Sequence, residues 1–306
     1  MAPGKIGLMT PGDMGQAIAL SIKAKGHSVY TALEGRSERS HRLAREAGLM
    51  DLVTTRRLIA ECDVVLSVMD PGAALGFGKS AASALRACGR NTLIVDCNAI
   101  APATTIEIGG LIEEAGGRYL DGGIIGPPPR GNAKTTIYVS GPGAADLREL
   151  EGPQLGIVVV SERIGDASAL KMCSGALTKG TQAVWLEVLY AARRLGVDEM
   201  LEREIRGSRE PIYEWVMDQL PIMPPKAYRW VPEMLEISRT FDESGMTPNV
   251  FKGVSEICAF VASTSLGAEA PEDARAKRRS AKAVIESLVT SAPDPAPRPP
   301  PSQCRP

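Results

Sequence analysis

Histidine is scarce in this sequence, which has only His27 and His41 among 306 residues. A catalytic triad or a metal cluster built on histidine therefore has little to draw on, and we predict no metal site. The six cysteines are scattered, and none forms a C-x-x-C pair. That spacing favours reduced thiols in a cytoplasm over a disulfide framework or a zinc site.

Strong net charge and long apolar runs are also missing. The formal net charge of -1 gives no electrostatic reason to expect nucleic acid or an anionic membrane as a partner. No run approaches the roughly 18 apolar residues that a membrane span needs, and the first residues do not form a charged-then-apolar leader. We therefore expect a cytoplasmic protein whose partner is a small molecule.

The remaining composition is globular, with 44% hydrophobic residues in a chain long enough for two domains. Short β-branched runs alternate with amphipathic stretches up to residue 164, and from residue 165 the pattern is helical. This predicts an α/β fold, in which a doubly wound, mostly parallel sheet in residues 1–164 precedes an all-α domain in residues 165–290. The proline-rich residues 291–306 are predicted to be a disordered tail.

Residues 5–22 are typical of a strand, a tight turn and a helix. Gly12 and Gly15 stand where the second and third glycines of a G-x-G-x-x-G turn would fall, while Thr10 replaces the first. In such a turn the backbone approaches a pyrophosphate, which the helix N-terminus binds. A plain structural turn is the alternative, but the position after the first strand favours dinucleotide binding. The predicted cofactor residues here are Thr10, Pro11, Gly12, Asp13, Met14 and Gly15.

The second predicted strand, residues 27–34, ends about 20 residues beyond that turn, where the ribose of a dinucleotide is bound. An acidic residue there would bind the ribose diol, whereas arginine beside a hydroxyl would hold a 2′-phosphate. The sequence offers Glu34 and then Arg36 and Ser37, with Arg39 and Arg42 in reserve. Arg36 and Ser37 favour NADP, and NAD is possible. The alternative is that these charges solvate the next helix, residues 38–47.

Two more apolar runs, residues 62–69 and 91–98, are typical of buried parallel strands joined through a helix. Ligands of a doubly wound sheet bind outside the carboxyl ends of its strands. We therefore predict that Val68 and Met69 contact the cofactor, and that Asn98 lies at the same carboxyl edge. A further strand beginning at Arg118 breaks into a glycine and proline loop, whose three consecutive prolines predict a rigid wall.

Lys171 lies in the stretch Gly165–Gly180, which is predicted to open one long helix that reaches Leu195. Its immediate neighbours are largely apolar, and partial burial would lower the pKa of the lysine enough for proton exchange near neutral pH. Residues three, four and seven positions further share its helix face: these are Ser174, Gly175 and Thr178. From this stretch alone, a solvated lysine is the simpler alternative.

Together these segments resemble the β-hydroxyacid dehydrogenase superfamily, which includes 6-phosphogluconate and 3-hydroxyisobutyrate dehydrogenases. The similarity covers roughly residues 4–265, and its most diagnostic parts are residues 6–15, 96–102 and 165–171. Residues 35–37, 121–128 and 229–234 resemble a less studied branch with a distinctive small C-terminal domain. The resemblance implies a Rossmann-type cofactor domain, a homodimer paired through the helical domain, and Lys171 as the catalytic lysine. It also places Asn98 at the nicotinamide and the substrate.

The sequence departs from that family in three places. Ile125-Gly126-Pro127 replaces the usual Ser-Gly-Gly substrate loop, which removes a hydroxyl. Gly175 replaces the asparagine that usually orients the substrate, and Ser174 or Thr178 could substitute for it. The late lysine that meets the cofactor aligns near Pro232, with Arg229 as the nearest replacement. The predicted substrate residues are Asn98, Gly123, Ile125, Gly126, Ser174, Thr178 and Arg229.

These features predict an NADP-dependent oxidoreductase that interconverts an alcohol and a carbonyl, with Lys171 as acid and base. Imine reduction is one alternative, but related imine reductases usually replace the lysine. Another alternative is a nucleotide-binding sensor or structural protein without turnover. The missing asparagine and serine favour this alternative, whereas the retained Lys171 and Asn98 argue against it. Because the prolines of the wall lack N–H groups, we expect a bulkier or less acidic substrate than a small hydroxy acid. Arg130 or Arg229 could still bind an acid.

Overall fold

The computed structural model describes residues 4–291. By compactness the chain divides into two units, Met1–Gly180 with Arg229–Ser255, and Thr181–Tyr228 with Glu256–Pro306. The predicted domain boundary after residue 164 follows a change of sequence pattern instead, and it stays a prediction. The predicted tail, residues 291–306, lies outside the described residues except for Ser291, which ends a helix.

The first unit contains a sheet of eight strands within the described residues. The strands are β1 (Ile6–Met9), β2 (Val29–Thr31), β3 (Met50–Asp51), β4 (Val64–Ser67), β5 (Leu93–Asp96), β6 (Arg118–Ile125), β7 (Thr135–Ser140) and β8 (Leu155–Ser161). Their order is β3-β2-β1-β4-β5-β6-β7-β8. Neighbouring strands are parallel except β6 and β7, which are antiparallel.

The predicted doubly wound, mostly parallel sheet is confirmed. The chain order reverses between β1 and β4, and dinucleotides bind outside the carboxyl ends of the strands at such a point. The short edge strand β3 is missing from the sequence prediction, because its two exposed residues carry no apolar pattern. The strands β1, β2, β4, β5 and β6 lie in the segments where strands are predicted.

The core of this unit lies on both faces of the sheet. Adjacent residues of one strand point to opposite faces, so Leu66 packs into one apolar cluster and Val65 into the other. Val95 and Ile94 divide in the same way. Strands buried on both faces explain why β4 and β5 are continuous apolar runs in the sequence, without polar alternation.

Helices follow the strands in the first unit and make up the second. The helices are α1 (Asp13–Ala24), α2 (Glu38–Glu46), α3 (Thr55–Glu61), α4 (Ala74–Cys88), α5 (Pro102–Glu114), α6 (Asp166–Gly175), α7 (Thr181–Leu195), α8 (Asp198–Ser208), α9 (Glu210–Gln219), α10 (Ala227–Glu243), α11 (Asn249–Ser263), α12 (Pro271–Ala276) and α13 (Ala281–Ser291). The predicted all-α character of the C-terminal region is confirmed.

The single long helix predicted from Leu170 to Leu195 is wrong in one respect. A π-helical turn, Ala176–Gly180, separates α6 from α7. Within it, the Thr178 hydroxyl donates to the carbonyl oxygen of Ser174 at 2.9 Å. Such bonds from threonine to the backbone loosen and bend helices, and a π turn accommodates one extra residue.

Two breaks separate neighbouring helices later in the chain. Pro211, at the start of α9, has no N–H to continue the hydrogen bonds of α8. Arg278, between α12 and α13, has a φ of 46°. A positive φ in a residue other than glycine interrupts a right-handed helix.

The second unit has its own aromatic core. Tyr213 is buried, its ring centroid lies 6.4 Å from that of Trp185, and its hydroxyl donates to Glu202 at 2.9 Å. Pairing of two chains through the helical region stays a prediction. Among residues 4–291, no helix combines the length and apolar character needed to cross a membrane.

Two carboxylates lie side by side in the core of the first unit. Asp96 in β5 is paired in register with Asp121 in β6, and both are almost completely buried. Asp96 Oδ1 accepts from the Asn98 N–H at 2.9 Å, whereas Oδ2 has no hydrogen-bond partner among the described residues. Burial, together with the nearby charge of Asp121, raises the pKa of Asp96 to about 7.

This raised pKa makes the stability of the protein depend on pH. In the unfolded chain the carboxyl of Asp96 loses its proton near pH ~4, whereas the folded protein retains it up to about pH 7. The contribution of Asp96 to the free energy of unfolding is therefore full below about pH 4 and falls as the pH rises to about 7. We expect Asp96→Asn to be less sensitive to pH over this range and more stable than the parent above it, in denaturant titrations. The exposed Glu46→Gln is the control, and equal pH dependence in all three proteins would contradict the expectation.

Candidate active site

The turn between β1 and α1 lies where the sheet order reverses. The Thr10 N–H donates to the carbonyl oxygen of Val68 at 2.9 Å, and the Thr10 hydroxyl donates to the same oxygen at 3.3 Å. The Gly12 N–H donates to the carbonyl oxygen of Thr10 at 2.8 Å. These bonds join the carboxyl ends of β1 and β4, so Thr10 has a structural role besides its predicted contact with the cofactor.

Gly12 and Gly15 are glycines for different reasons. A Cβ on Gly15 would lie 2.1 Å from the carbonyl oxygen of Thr10, so no larger residue fits between the helix and the turn. A Cβ on Gly12 would meet nothing within 4 Å. Gly12 begins α1 without a side-chain cap, which leaves N–H groups of the first turn for an anion. The turn thus fits the pyrophosphate of a dinucleotide.

The other residues of this turn have contacts of their own. Pro11 is buried, and Met14 packs against one of the core clusters. The Arg130 guanidinium donates to Asp13 Oδ1 at 2.5 Å and to Gln16 Oε1 at 2.7 Å. Arg130 therefore compensates an acidic residue that faces the predicted phosphate site. It is engaged by α1, and the structure does not bring it to Lys171 as a substrate ligand.

The predicted 2′-phosphate site lies at the start of α2. Ser37 is the N-cap of this helix, and its hydroxyl accepts from the Ser40 N–H at 3.3 Å. Arg36 is partly buried, and this burial lowers its pKa, while Glu34 is exposed. Arg42 forms a 2.9 Å ion pair with Glu46 on the surface of α2. The helix N-terminus and Arg36 together fit an anionic group.

Asn98 bridges the ends of β4 and β5. Its Oδ1 accepts from the Met69 N–H at 2.6 Å, and its Nδ2 donates to Ser67 Oγ at 2.8 Å. The side chain is buried, so both ends of its amide are used inside the protein. This arrangement holds the backbone of Val68 and Met69 in place beside the turn of β1. The predicted contact of Asn98 with nicotinamide and substrate stays a prediction.

Asp121 fixes the start of α6 on the sheet. Its carboxylate accepts from the N–H groups of Gly165 and Ser168, at 3.0 and 2.9 Å, and from the Ser168 hydroxyl at 2.6 Å. It also accepts from the Ser140 hydroxyl of β7 at 3.0 Å. A buried carboxylate at a helix N-terminus binds its free N–H groups and complements its partial positive charge. The resemblance alone did not identify this role.

Gly123 brings α6 into direct contact with β6. A Cβ on Gly123 would lie 2.8 Å from the Cβ of Lys171 and 3.0 Å from the carbonyl oxygen of Ala167. Ile125 then ends β6, and Gly126, with a φ of 125°, turns the chain into the proline wall. Gly123 thus contacts Lys171 of α6, and Ile125 and Gly126 follow it at the end of the same strand.

Lys171 has the properties of a proton-exchanging group. Burial and the positive charge of Lys179 lower its pKa to about 8, and the negative charge of Glu233 partly opposes this. A fully solvated lysine would keep its usual pKa of about 10.4. The partial burial and lowered pKa of Lys171 argue against the simpler alternative of a fully solvated surface lysine, and its role in proton exchange stays a prediction.

The remaining predicted substrate residues are less well placed. Thr178 is exposed and its hydroxyl is bonded to the Ser174 carbonyl oxygen, so it is already used within the helix. Ser174 itself is partly buried on α6. Arg229, on α10, acts electrostatically on Glu233.

Glu233 and Trp230 of α10 are missing from the sequence prediction. Glu233 Oε2 accepts a hydrogen bond from Lys179 Nζ, which also lies 5.3 Å from the Trp230 ring centroid. Glu233 is 4% exposed. The only signal was its place within the branch motif at residues 229–234, and nothing in the sequence indicated which residue it contacts. Among residues 4–291 no group of three or more histidine, cysteine or acidic side chains could hold a metal ion.

Comparison with known proteins identifies the family. A family model described as the NAD binding domain of 6-phosphogluconate dehydrogenase matches residues 5–150, and a domain of unknown function, DUF1932, matches residues 192–261. An uncharacterized 28.5 kDa protein of Methanothermus fervidus is 31% identical over 208 residues, which cover 67% of this chain and 78% of that protein. The chain belongs to the β-hydroxyacid dehydrogenase superfamily.

Solved structures agree with this assignment. A conserved protein of unknown function, described as similar to 3-hydroxyacid dehydrogenases, is 29% identical with a TM-score of 0.62, and the match covers 89% of this chain and 98% of that one. The 3-hydroxyisobutyrate dehydrogenase of Mycobacterium tuberculosis, solved with L-serine, shares the fold with a TM-score of 0.65 at 18% identity. The match covers 90% of this chain and 99% of that one. As a member of the superfamily, the chain is a dehydrogenase or reductase that uses a nicotinamide cofactor.

Substitution of the two glycines of the β1–α1 turn should distinguish an effect on stability from an effect on cofactor binding. Gly15→Ala should lower the free energy of unfolding by at least about 1–3 kcal/mol, because its Cβ collides with backbone. Gly12→Ala should lower the free energy of unfolding by about 1 kcal/mol at most. It should nevertheless weaken NADPH binding tenfold or more, which corresponds to about 1.4 kcal/mol, because the methyl group occupies the space left for phosphate. Denaturant titration and fluorescence titration with NADPH measure both effects. Unchanged NADPH affinity in Gly12→Ala would show that the pyrophosphate binds elsewhere.

Proposed function

We propose that this protein is an NADP-dependent oxidoreductase that interconverts an alcohol and a carbonyl compound, with Lys171 as general acid and base. The observation that carries the proposal is the pKa of Lys171, which burial and Lys179 lower to about 8. A group that exchanges a proton with substrate works best with a pKa near the working pH. The family relationship supplies the reaction class, and Lys171 supplies the proton chemistry.

The reaction needs a hydride carrier and a proton carrier. A bound nicotinamide supplies or accepts the hydride. In oxidation, neutral Lys171 removes the hydroxyl proton as the carbonyl forms; in reduction, the Lys171 ammonium returns it to the oxygen. The bonds from Asp121 to the start of α6 and the contact at Gly123 hold this lysine in position, so the proton donor needs no rearrangement before the reaction.

The choice of NADP rests on Arg36 and Ser37. Arg36 is partly buried beside the N-terminus of α2, where an arginine fork and the N–H groups of the helix can both reach a phosphate. Glu34, which would favour the unphosphorylated ribose, is exposed and points to no fixed partner in the described contacts. Both features favour NADP over NAD.

The substrate is proposed to be bulkier or less acidic than a small 3-hydroxy acid. Pro127, Pro128 and Pro129 offer no N–H to a carboxylate, and Ile125 offers no hydroxyl. A buried carboxylate without donors is costly. Arg130, one of the two residues that could have reversed this argument, is bonded to α1. Imine reduction is less favoured because Lys171 is retained, and a protein without turnover would not need a lysine of lowered pKa.

Replacement of Lys171 tests the proton chemistry. On a substrate found by mixing the protein and NADPH with aldehydes, keto acids and cyclic imines, Lys171→Ala should lose about 10²–10⁴-fold in kcat while NADPH affinity is retained. In the parent enzyme, kcat/KM for oxidation should rise with pH through about 8, and for reduction it should fall. The exposed Lys79→Ala is the control. Near-normal turnover in Lys171→Ala would contradict the proposal, and the same panel tests the substrate preference.

Replacement of Arg36 tests the cofactor. Arg36→Ala should weaken NADPH binding by about 1.5–3 kcal/mol, the contribution of a hydrogen bond to a charged group, while NADH binding hardly changes. Isothermal titration with both cofactors gives the two affinities. Arg42→Ala is the matched control, because Arg42 lies on α2, the helix that follows Arg36, and is paired with Glu46. An equal loss for both cofactors, or a parent enzyme that prefers NADH, would rule out this role for Arg36.

A further inference from the structure

The π-helical turn after α6 brings a second lysine to the side of the helix where Lys171 lies. In an uninterrupted α-helix, side chains eight positions apart point about 80° apart around the axis. The extra residue in a π turn takes back about 100°, so the directions of Lys171 and Lys179 differ by only about 20°. The π turn therefore directs the side chains of Lys171 and Lys179 toward the same neighbouring residue.

That neighbour is Glu233 of α10. One carboxylate oxygen, Oε2, is bonded to Lys179 Nζ, and the other, Oε1, has no hydrogen-bond partner among the described residues although it is buried. A Cβ on Gly175 would lie 3.4 Å from Oε1 and 3.2 Å from Ile237 Cδ1. Because residue 175 is a glycine, the carboxylate of Glu233 packs directly against α6, one turn beyond Lys171.

Helix α10 is held in this place by a separate contact. Glu236, one turn beyond Glu233, accepts from the Ala101 N–H and from the Thr104 hydroxyl, both at 2.7 Å. Ala101 is the N-cap of α5, which follows β5. The position of Glu233 is therefore set by the sheet as well as by its own bond to Lys179.

Lys171, Lys179 and Glu233 form a charge cluster, in which the charge of one residue shifts the pKa of another. Burial raises the pKa of Glu233, but Lys179, Lys171 and Arg229 together lower it below its usual range, so this carboxyl is ionised. Lys179 and Glu233 act on Lys171 in opposite directions. From the side of the sheet, Lys171 packs against Gly123 of β6, and the carboxylate of Asp121, two residues earlier on this strand, is bonded to the first turn of α6.

We propose that Glu233 is a positioning residue of the candidate active site, which binds Lys179 beside Lys171 and so controls when Lys171 is protonated. The inference rests on the proposed role of Lys171 in proton transfer. Lys179 is bonded to Oε2, while the buried Oε1 has no hydrogen-bond partner among the described residues and is an acceptor for the ammonium that Lys171 becomes after it removes a hydroxyl proton. Lys179 favours release of that proton, and Glu233 limits how far this goes.

The test is the protonation midpoint of Lys171 itself, measured without a substrate. Competitive labelling of the full-length protein with acetic anhydride over a pH series, followed by mass spectrometry of the peptide that contains Lys171, gives this midpoint. The parent should titrate near pH 8. Glu233→Gln should lower the midpoint and Lys179→Met should raise it, each by about one pH unit, as for a nearby charge. The double variant should return toward the parent.

Glu236→Gln is the matched control, because it removes a charge from the same helix one turn away and retains an acceptor for Ala101 and Thr104. Its midpoint should stay near that of the parent. An unchanged midpoint in both Glu233→Gln and Lys179→Met, or shifts of the same sign, would overturn the inference. If Glu233→Gln does not fold, the upward shift in Lys179→Met decides the question.

These measurements are independent of turnover. Opposite shifts in a protein that never reduces any carbonyl compound would support the cluster and refute the proposed function. Turnover that requires Lys171, with a midpoint insensitive to Glu233 and Lys179, would support the proposed function and refute the cluster.

Discussion

The position of Lys171 depends on the buried carboxylate of Asp121. This side chain stands on β6 and binds the first turn of α6 through backbone N–H groups and the Ser168 hydroxyl. Gly123, two residues further along the same strand, removes the side chain that would keep the helix away. Strand β6 therefore both binds the start of α6 and leaves space for it. This fixes the backbone of Lys171 relative to the sheet.

The same sheet carries the cofactor turn. The bonds between Thr10 and Val68, and between Asn98 and its partners Ser67 and Met69, tie the carboxyl ends of three adjacent strands together. The predicted phosphate site and the proposed proton-exchanging lysine thus both lie against this one sheet. A nicotinamide-dependent dehydrogenase needs this arrangement, because hydride and proton must reach adjacent atoms.

Much of this could be predicted from the sequence, because the local patterns were strong. Buried parallel strands are continuous apolar runs, and the turn at Gly12 and Gly15 has a fixed spacing, so the sheet and the turn followed directly. Lys171 was identified by its apolar neighbours and by the family resemblance. The π turn was not predicted, because a threonine hydroxyl that bonds to the backbone four residues earlier, as Thr178 does, also occurs in regular helices.

Long-range contacts could not be predicted from the sequence either. Glu233 lies 54 positions from Lys179, and no periodicity connects the two segments. The roles of Asp121, Asn98 and Arg130 depend likewise on partners brought together only by the sheet. In each case the residue type indicated a polar function, but the identity of the partner decided whether that function was structural, electrostatic or chemical.

The first unit is assembled from two separate stretches of chain, Met1–Gly180 and Arg229–Ser255, with residues 181–228 between them. As the chain leaves the ribosome, the sheet and α6 emerge before Glu233 has been made. Until then the two lysines share one side of the helix without a counter-charge and repel each other. Lys171 therefore acquires the counter-charge of Glu233 only after the second of these stretches has been synthesised.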